Sequence, residues 1–123
     1  MKPILVIDDS PTMLMSISRI LTKVGFTVES CANGQIALDK IKGGFSPAII
    51  LTDLNMPVLD GFAFIKQARQ IPSTRFTPIV VLTTESAAQK RDTARAAGAT
   101  GWLTKPAGPQ ELLATLKQLL PAS

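Results

Sequence analysis

Ala48-Ile49-Ile50-Leu51-Thr52-Asp53-Leu54-Asn55-Met56-Pro57-Val58-Leu59-Asp60-Gly61 is the stretch that decides the fold of this 123-residue chain. It opens on an apolar run, Ala48 to Leu51, that is too short for a helix and rich in β-branched residues. Such a run reads as a strand buried on both faces. Asp53 follows at the strand's carboxyl end. Asp60 then caps a helix expected to run to about Gln70, before Pro72. Strand, strand-end acid and capped helix make one βα unit.

The same unit recurs on either side. Ile4-Leu5-Val6-Ile7 and Ile79-Val80-Val81-Leu82 are two more doubly buried strands, while Phe26 to Glu29 and Gly101 to Thr104 carry the polar admixture of sheet edges. Ser10 and Pro11 start a helix whose Met13, Leu14, Ile17, Ile20, Leu21 and Val24 share one face until Gly25. Asn33-Gly34 opens another, with Ile36, Ala37 and Ile41 apolar, and Gly43-Gly44 ends it. The last helix starts near Pro109 and lines up Leu112, Leu113, Leu116, Leu119 and Leu120. The helix from about Ala87 to Ala97 turns mainly alanines inward, so it should be the least firmly docked element. The expected fold is α/β: a five-stranded parallel sheet, flavodoxin-like and doubly wound as (βα)5, with strand order 2-1-3-4-5. The expectation for 1–123 is a single domain, since its length suits one core.

Composition removes several chemistries. The chain has no histidine and one cysteine, Cys31, which excludes Ser-His-Asp and Cys-His catalysis, imidazole ligands, internal disulfides and thiolate zinc cages. No apolar run approaches the roughly 20 residues of a membrane span, and the reading is a soluble, cytoplasmic protein. The formal charge is +4, from 13 Lys and Arg against 9 Asp and Glu, but the basic residues are scattered. That distribution argues for a solvated basic surface over a nucleic-acid groove.

The acids are not scattered. In a doubly wound sheet Asp8-Asp9, Asp53, Thr83 and Thr104-Lys105-Pro106 converge at the carboxyl ends of the strands, where such folds place their function. Three carboxylates this close would repel, raising at least one pKa, unless a cation neutralises them; a hard divalent ion is the simple solution, and an all-oxygen set suits Mg2+. Asp8, Asp9 and Asp53, with a neighbouring backbone carbonyl such as that of Asn55, are the candidate ligands. A metal beside an ammonium and a hydroxyl suits phosphoryl chemistry, with Asp53 as nucleophile, Lys105 on its other side and Thr83 toward a phosphoryl oxygen.

These residues resemble the receiver domain of two-component response regulators along the whole chain. The match lies in Asp8-Asp9, in Asp53 to Gly61, in Thr83 and in Lys105-Pro106, at intervals of 30 from Asp53 to Thr83 and 22 from Thr83 to Lys105. The resemblance implies that Asp53 is the phosphoacceptor for a sensor histidine kinase and that Asp9 ligates Mg2+ directly. It implies that Lys105 pairs with the phosphate, that Thr83 moves toward it, and that the bond to Pro106 is cis. Trp102 would be the aromatic that tracks the threonine. Ala87 to Ala97, Gly101 to Thr104 and Pro109 to Leu120 would form the output face, with Asn55 and Glu85 as modulators. With nothing following Ser123, the likeness is to stand-alone, CheY-like chemotaxis receivers, whose output partner would be a flagellar motor switch. Such a protein catalyses only its own phosphorylation and dephosphorylation. It is expected to be a monomer, or to dimerise weakly when phosphorylated. Ala107 departs from the Phe common after the Lys-Pro pair.

Other readings compete. One is a shuttle to a histidine phosphotransfer protein; another, from a different class, is a Mg2+-dependent aspartyl-phosphate phosphatase. The latter would want its nucleophile on the first strand and a cap domain, which this length does not allow. Flavin binding is disfavoured because acids replace the phosphate-cradling loop. Asp60 reads better as a helix cap than as a ligand, Thr84 as an exposed neighbour of the site, and Cys31 as a small structural residue. Lys90, Arg91 and Arg95 are either a docking patch for an acidic partner or a solvated face.

Overall fold

Five parallel strands stand in the order β2-β1-β3-β4-β5 in the computed structural model, which describes residues 2–84 and 87–120. They are β1 (Ile4–Ile7), β2 (Val28–Cys31), β3 (Ile49–Thr52), β4 (Ile79–Thr83) and β5 (Gly101–Thr104). The helices between and after them are α1 (Pro11–Lys23), α2 (Gly34–Lys42), α3 (Gly61–Gln70), α4 (Ala88–Ala97) and α5 (Pro109–Leu119). The flavodoxin-like order expected from the βα repeats is the one observed. Among the described residues no helix is long and apolar enough to cross a membrane.

Every residue of β1, β3 and β4 is buried, which is why those strands read as unbroken apolar runs. Their alternate side chains feed two cores. Leu5, Ile7, Ile50, Ile79 and Val81 meet α2, α3 and α4 on one face, while Ile4, Val6, Ile49, Leu51, Val80 and Leu82 meet α1 and α5 on the other. The capping signals act as their chemistry dictates. Ser10 accepts the Met13 N–H at 3.3 Å, Asn33 that of Ile36 at 2.9 Å and Asp60 that of Ala63 at 2.9 Å.

Some local expectations shift. β2 begins two residues later than Phe26, because Gly25, at φ 98°, ends the preceding turn and the Phe26 N–H closes back on Leu21. In α2 the inward face is Ala37, Leu38 and Ile41, whereas Ile36 is exposed; in α1 only Ile17 and Leu21 are fully inside and Val24, the C-cap, is exposed. The alanine-lined face of α4 buries little, as its sequence leads one to expect. It buries Ala94 alone, against Phe64, Ile65 and Ala68 in α3, and a buried Phe or Ile contributes about 1.5–3 kcal/mol.

Candidate functional site

Three side chains of the site are placed by one device. Asp8, Asp53 and Lys105 are each the first residue beyond a strand, and each continues the backbone hydrogen bonding of that strand. Asp8 N–H donates to Cys31 at 3.1 Å, Asp53 N–H to Ile7 at 3.0 Å, and Lys105 N–H to Thr83 at 2.7 Å. The rigidity of the sheet therefore extends to the functional groups, which hang over the carboxyl edge of β1, β3 and β5.

The Lys105 ammonium lies between two carboxylates, 2.6 Å from Asp8 Oδ2 and 3.2 Å from Asp53 Oδ2. Burial disfavours its charge, but the hydrogen bond to Asp8 and the nearby carboxylates outweigh that, and its pKa is raised. The remaining oxygens of the two acids are used as well. Asp8 Oδ1 accepts the Ser10 N–H at 2.9 Å and Asp53 Oδ1 the Leu54 N–H at 2.7 Å. Both acids are buried, whereas Asp9 is exposed at the mouth.

Carboxylate oxygens of Asp8, Asp9 and Asp53 all lie within 4.8 Å of one another. Three negative charges against the one ammonium leave an excess of two, which a single divalent cation would balance. The donors are all oxygen, so the residues present fit Mg2+ and offer nothing to zinc or copper. Lys105 thus supplies part of the neutralisation that the sequence reading assigned to a metal.

The loop after Asp53 is shaped around it. A Cβ on Gly61 would lie 2.8 Å from the Leu54 Cα and closer still to the Asp53 carbonyl oxygen, so only glycine lets α3 start against the backbone of the acid. Asn55 is exposed at the rim, Thr83 is fully buried at the end of β4, and Thr84 is exposed. The Lys105–Pro106 peptide is cis. Ala107 packs partly buried against the α1 and α5 core. Glu85 lies outside the described residues. Trp102 is half-buried on β5 against the other core.

Residues 4–117 match the response regulator receiver domain family. The chain belongs to that family. This receiver is 42% identical to the chemotaxis protein CheY4 of Vibrio cholerae, whose structure superimposes with a TM-score of 0.92 and 98% and 99% of the two chains covered. A second structure is the receiver domain of the sensor histidine kinase PA1611 from Pseudomonas aeruginosa, solved with a magnesium ion coordinated in its active-site cleft. It is 29% identical, at TM-score 0.88, with 96% of each chain covered. The transcriptional regulatory protein TcrA of Mycobacterium tuberculosis is 36% identical over 94% of this receiver, which spans only 45% of TcrA's length.

The structure brings Asp8, Asp9, Asp53 and Lys105 of this receiver together and fixes Thr83 through its backbone bond to Lys105. Two features escaped sequence reading. Arg91 places its guanidinium carbon 5.7 Å from the Trp102 ring centroid, a cation–π contact at a sequence distance that no local pattern reports. Arg69 binds the carbonyls of Gly98, Thr74 and Thr77 and so ties α4's end to α3.

Proposed function

We propose that this receiver is a phosphorylation-controlled protein-binding switch in a two-component pathway. A carboxylate oxygen of Asp53 attacks the phosphorus of a phosphohistidine on a sensor kinase. The phosphorus–nitrogen bond breaks, its electron pair stays on the imidazole, and an acyl phosphate remains on Asp53. The observation that carries this reading is Lys105 bridging Asp8 and Asp53 beside the exposed Asp9: one buried acid faces a fixed cation and an open acidic mouth. Mg2+ would be held by Asp8, Asp9, Asp53 and the Asn55 carbonyl, and when bound it supplies charge neutralisation for the incoming phosphoryl group. Lys105 would exchange its bond to Asp53 for one to a phosphoryl oxygen. Thr83, joined to Lys105 through the backbone, would carry the change toward Trp102 and the α4-β5-α5 face.

The output is protein binding at that face. The CheY4 likeness favours chemotaxis, with a motor-switch protein as first partner, in the cytoplasm and as a monomer. The only catalysis is then of the protein's own phosphorylation and dephosphorylation, with no nucleic acid involved. Incubation with acetyl phosphate and Mg2+, read by intact-protein mass, should add one phosphoryl group to wild type and none to Asp53→Asn. Equal incorporation in the two proteins would refute the assignment of Asp53.

A further inference from the structure

Between α4 and β5 lies a notch of about 40 Å³, lined by Arg91, Ala94, Arg95, Thr100, Gly101 and Trp102 among others. Arg91 and Arg95 are four apart on one helix and therefore share a face. Both are counted as basic by any sequence reading, yet among the described residues neither has a carboxylate within ion-pair distance. Asp92 lies between them in sequence without pairing to either. Trp102 adds a second kind of unmet demand. Its indole Nε1 is buried and, among the described residues, has no hydrogen-bond acceptor. A buried N–H without a partner is uncommon and unfavourable, and the ring above it is covered by the Arg91 guanidinium.

Two arginine side chains and a tryptophan whose buried indole N–H has no acceptor, donors all, line a space the size of a single small polar group. We infer that this notch is a carboxylate site, and that its occupant is a Glu or Asp side chain of an acidic protein segment docking on the α4-β5-α5 face. Carboxylate binding draws Arg91 from the ring face into an ion pair and gives the indole N–H an acceptor once the ring turns. One entering group thus satisfies the groups left unpaired. The volume fits one carboxylate. A nucleic-acid backbone would need a basic track instead, and the other lysines and arginines are dispersed along the sequence rather than clustered. The inference rests on the reading of this face as the output surface and names what that surface grips.

The chain has one tryptophan and no tyrosine, so its nitrogen–proton spectrum holds a single indole cross-peak and its fluorescence reports Trp102 alone. The probe is a capped peptide of alternating Ala and Glu, titrated into the unactivated full chain, with the Ala-Gln peptide and a single-stranded oligonucleotide of equal charge as separate arms. The expected result is a saturable downfield shift of the indole proton with the Glu peptide only. Affinity should fall about fivefold or more in the Arg91→Gln/Arg95→Gln variant, on the scale of exposed ion pairs, with part of the loss recovered by Lys at both positions. An unmoved indole peak, an equal response to the Gln peptide, a response to the oligonucleotide alone, or unchanged affinity in the double variant would each overturn the assignment. Activation by acetyl phosphate is run separately. If activation moves the indole peak while the Glu peptide does not, the switch reading stands and the carboxylate site falls.

Discussion

Lys105 donates to Asp8 at 2.6 Å, the shorter of its two carboxylate bonds, across a sequence separation of 97 residues. Lys105 is thus held by the acid beside the proposed phosphoacceptor as firmly as by the phosphoacceptor itself, and exchange of its Asp53 partner leaves it anchored.

Removing this ammonium leaves three carboxylates unopposed. Lys105→Met keeps the stem and loses the charge, and breaking a buried pair from one side costs about 3 kcal/mol or more. Urea unfolding in EDTA should show that loss. Added Mg2+ should recover much of it, since a ligand at 100 times its Kd stabilises the state it binds by about 2.7 kcal/mol. A variant as stable as wild type in EDTA would mean that the acids do not strain one another.

Arg69 links the C-terminal end of α4 to the segment after α3. Its Nε and Nη2 donate to the Gly98 carbonyl at 3.0 and 2.8 Å, and its Nη1 to Thr74 and Thr77 at 2.8 and 2.6 Å. Gly98, at φ 120°, leaves room for it: a Cβ there would stand 2.8 Å from Arg69 Cγ. Arg69→Ala should cost about 2 kcal/mol, the scale of a carbonyl left without its partner. Because α4 buries only Ala94, its amide protons should lose hydrogen-exchange protection before those of α3. Equal loss across both helices would show that Arg69 stabilises the whole domain rather than anchoring α4.

Such long-range bonds mark the limit of what the sequence discloses. The strands were legible because β1, β3 and β4 are buried on both faces, and the site because its residues follow directly upon strand ends. β2 and the inward face of α2 were harder: Phe26 packs against the core from the turn before the strand, and Ile36 is apolar yet exposed, since local hydrophobicity does not report how far a helix is rotated. Arg69 to Gly98 and Arg91 to Trp102 follow from where α4 rests, and periodicity says nothing about pairs 29 and 11 residues apart.

Val58 illustrates a local conflict instead. It is a β-branched residue at φ 73° in the loop between Asp53 and α3, at the centre of a turn closed by Leu59 N–H on the Pro57 carbonyl at 2.8 Å. Left-handed backbone costs a residue with a Cβ about 1–2 kcal/mol, and glycine returns about half of that gain as unfolded-chain entropy. Val58→Gly should therefore raise stability by about 0.5–1 kcal/mol, while Val58→Ala, which keeps the Cβ, should change it little. The side chain is 79% exposed, so lost packing does not obscure the comparison. Destabilisation by glycine would remove the strain argument.

Cys31 sets the alkaline behaviour. Burial raises its pKa from 9.0 to about 11, with Lys40 pulling the other way and Glu29 adding to the rise. The folded state thus holds a proton that the unfolded state releases between those two values. Stability on this account is full below pH 9 and falls as pH climbs toward 11. Lys105, also raised, contributes a further loss at higher pH that a cysteine substitution leaves in place. Urea midpoints measured from pH 8 to pH 11 should decline more steeply in wild type than in Cys31→Ala, the two curves running parallel below pH 9. Consistently, the native thiol should resist labelling by a disulfide reagent at pH 8 and react once urea exposes it. Rapid native labelling, or identical slopes in the two proteins, would show that the thiol is not shielded at the end of β2.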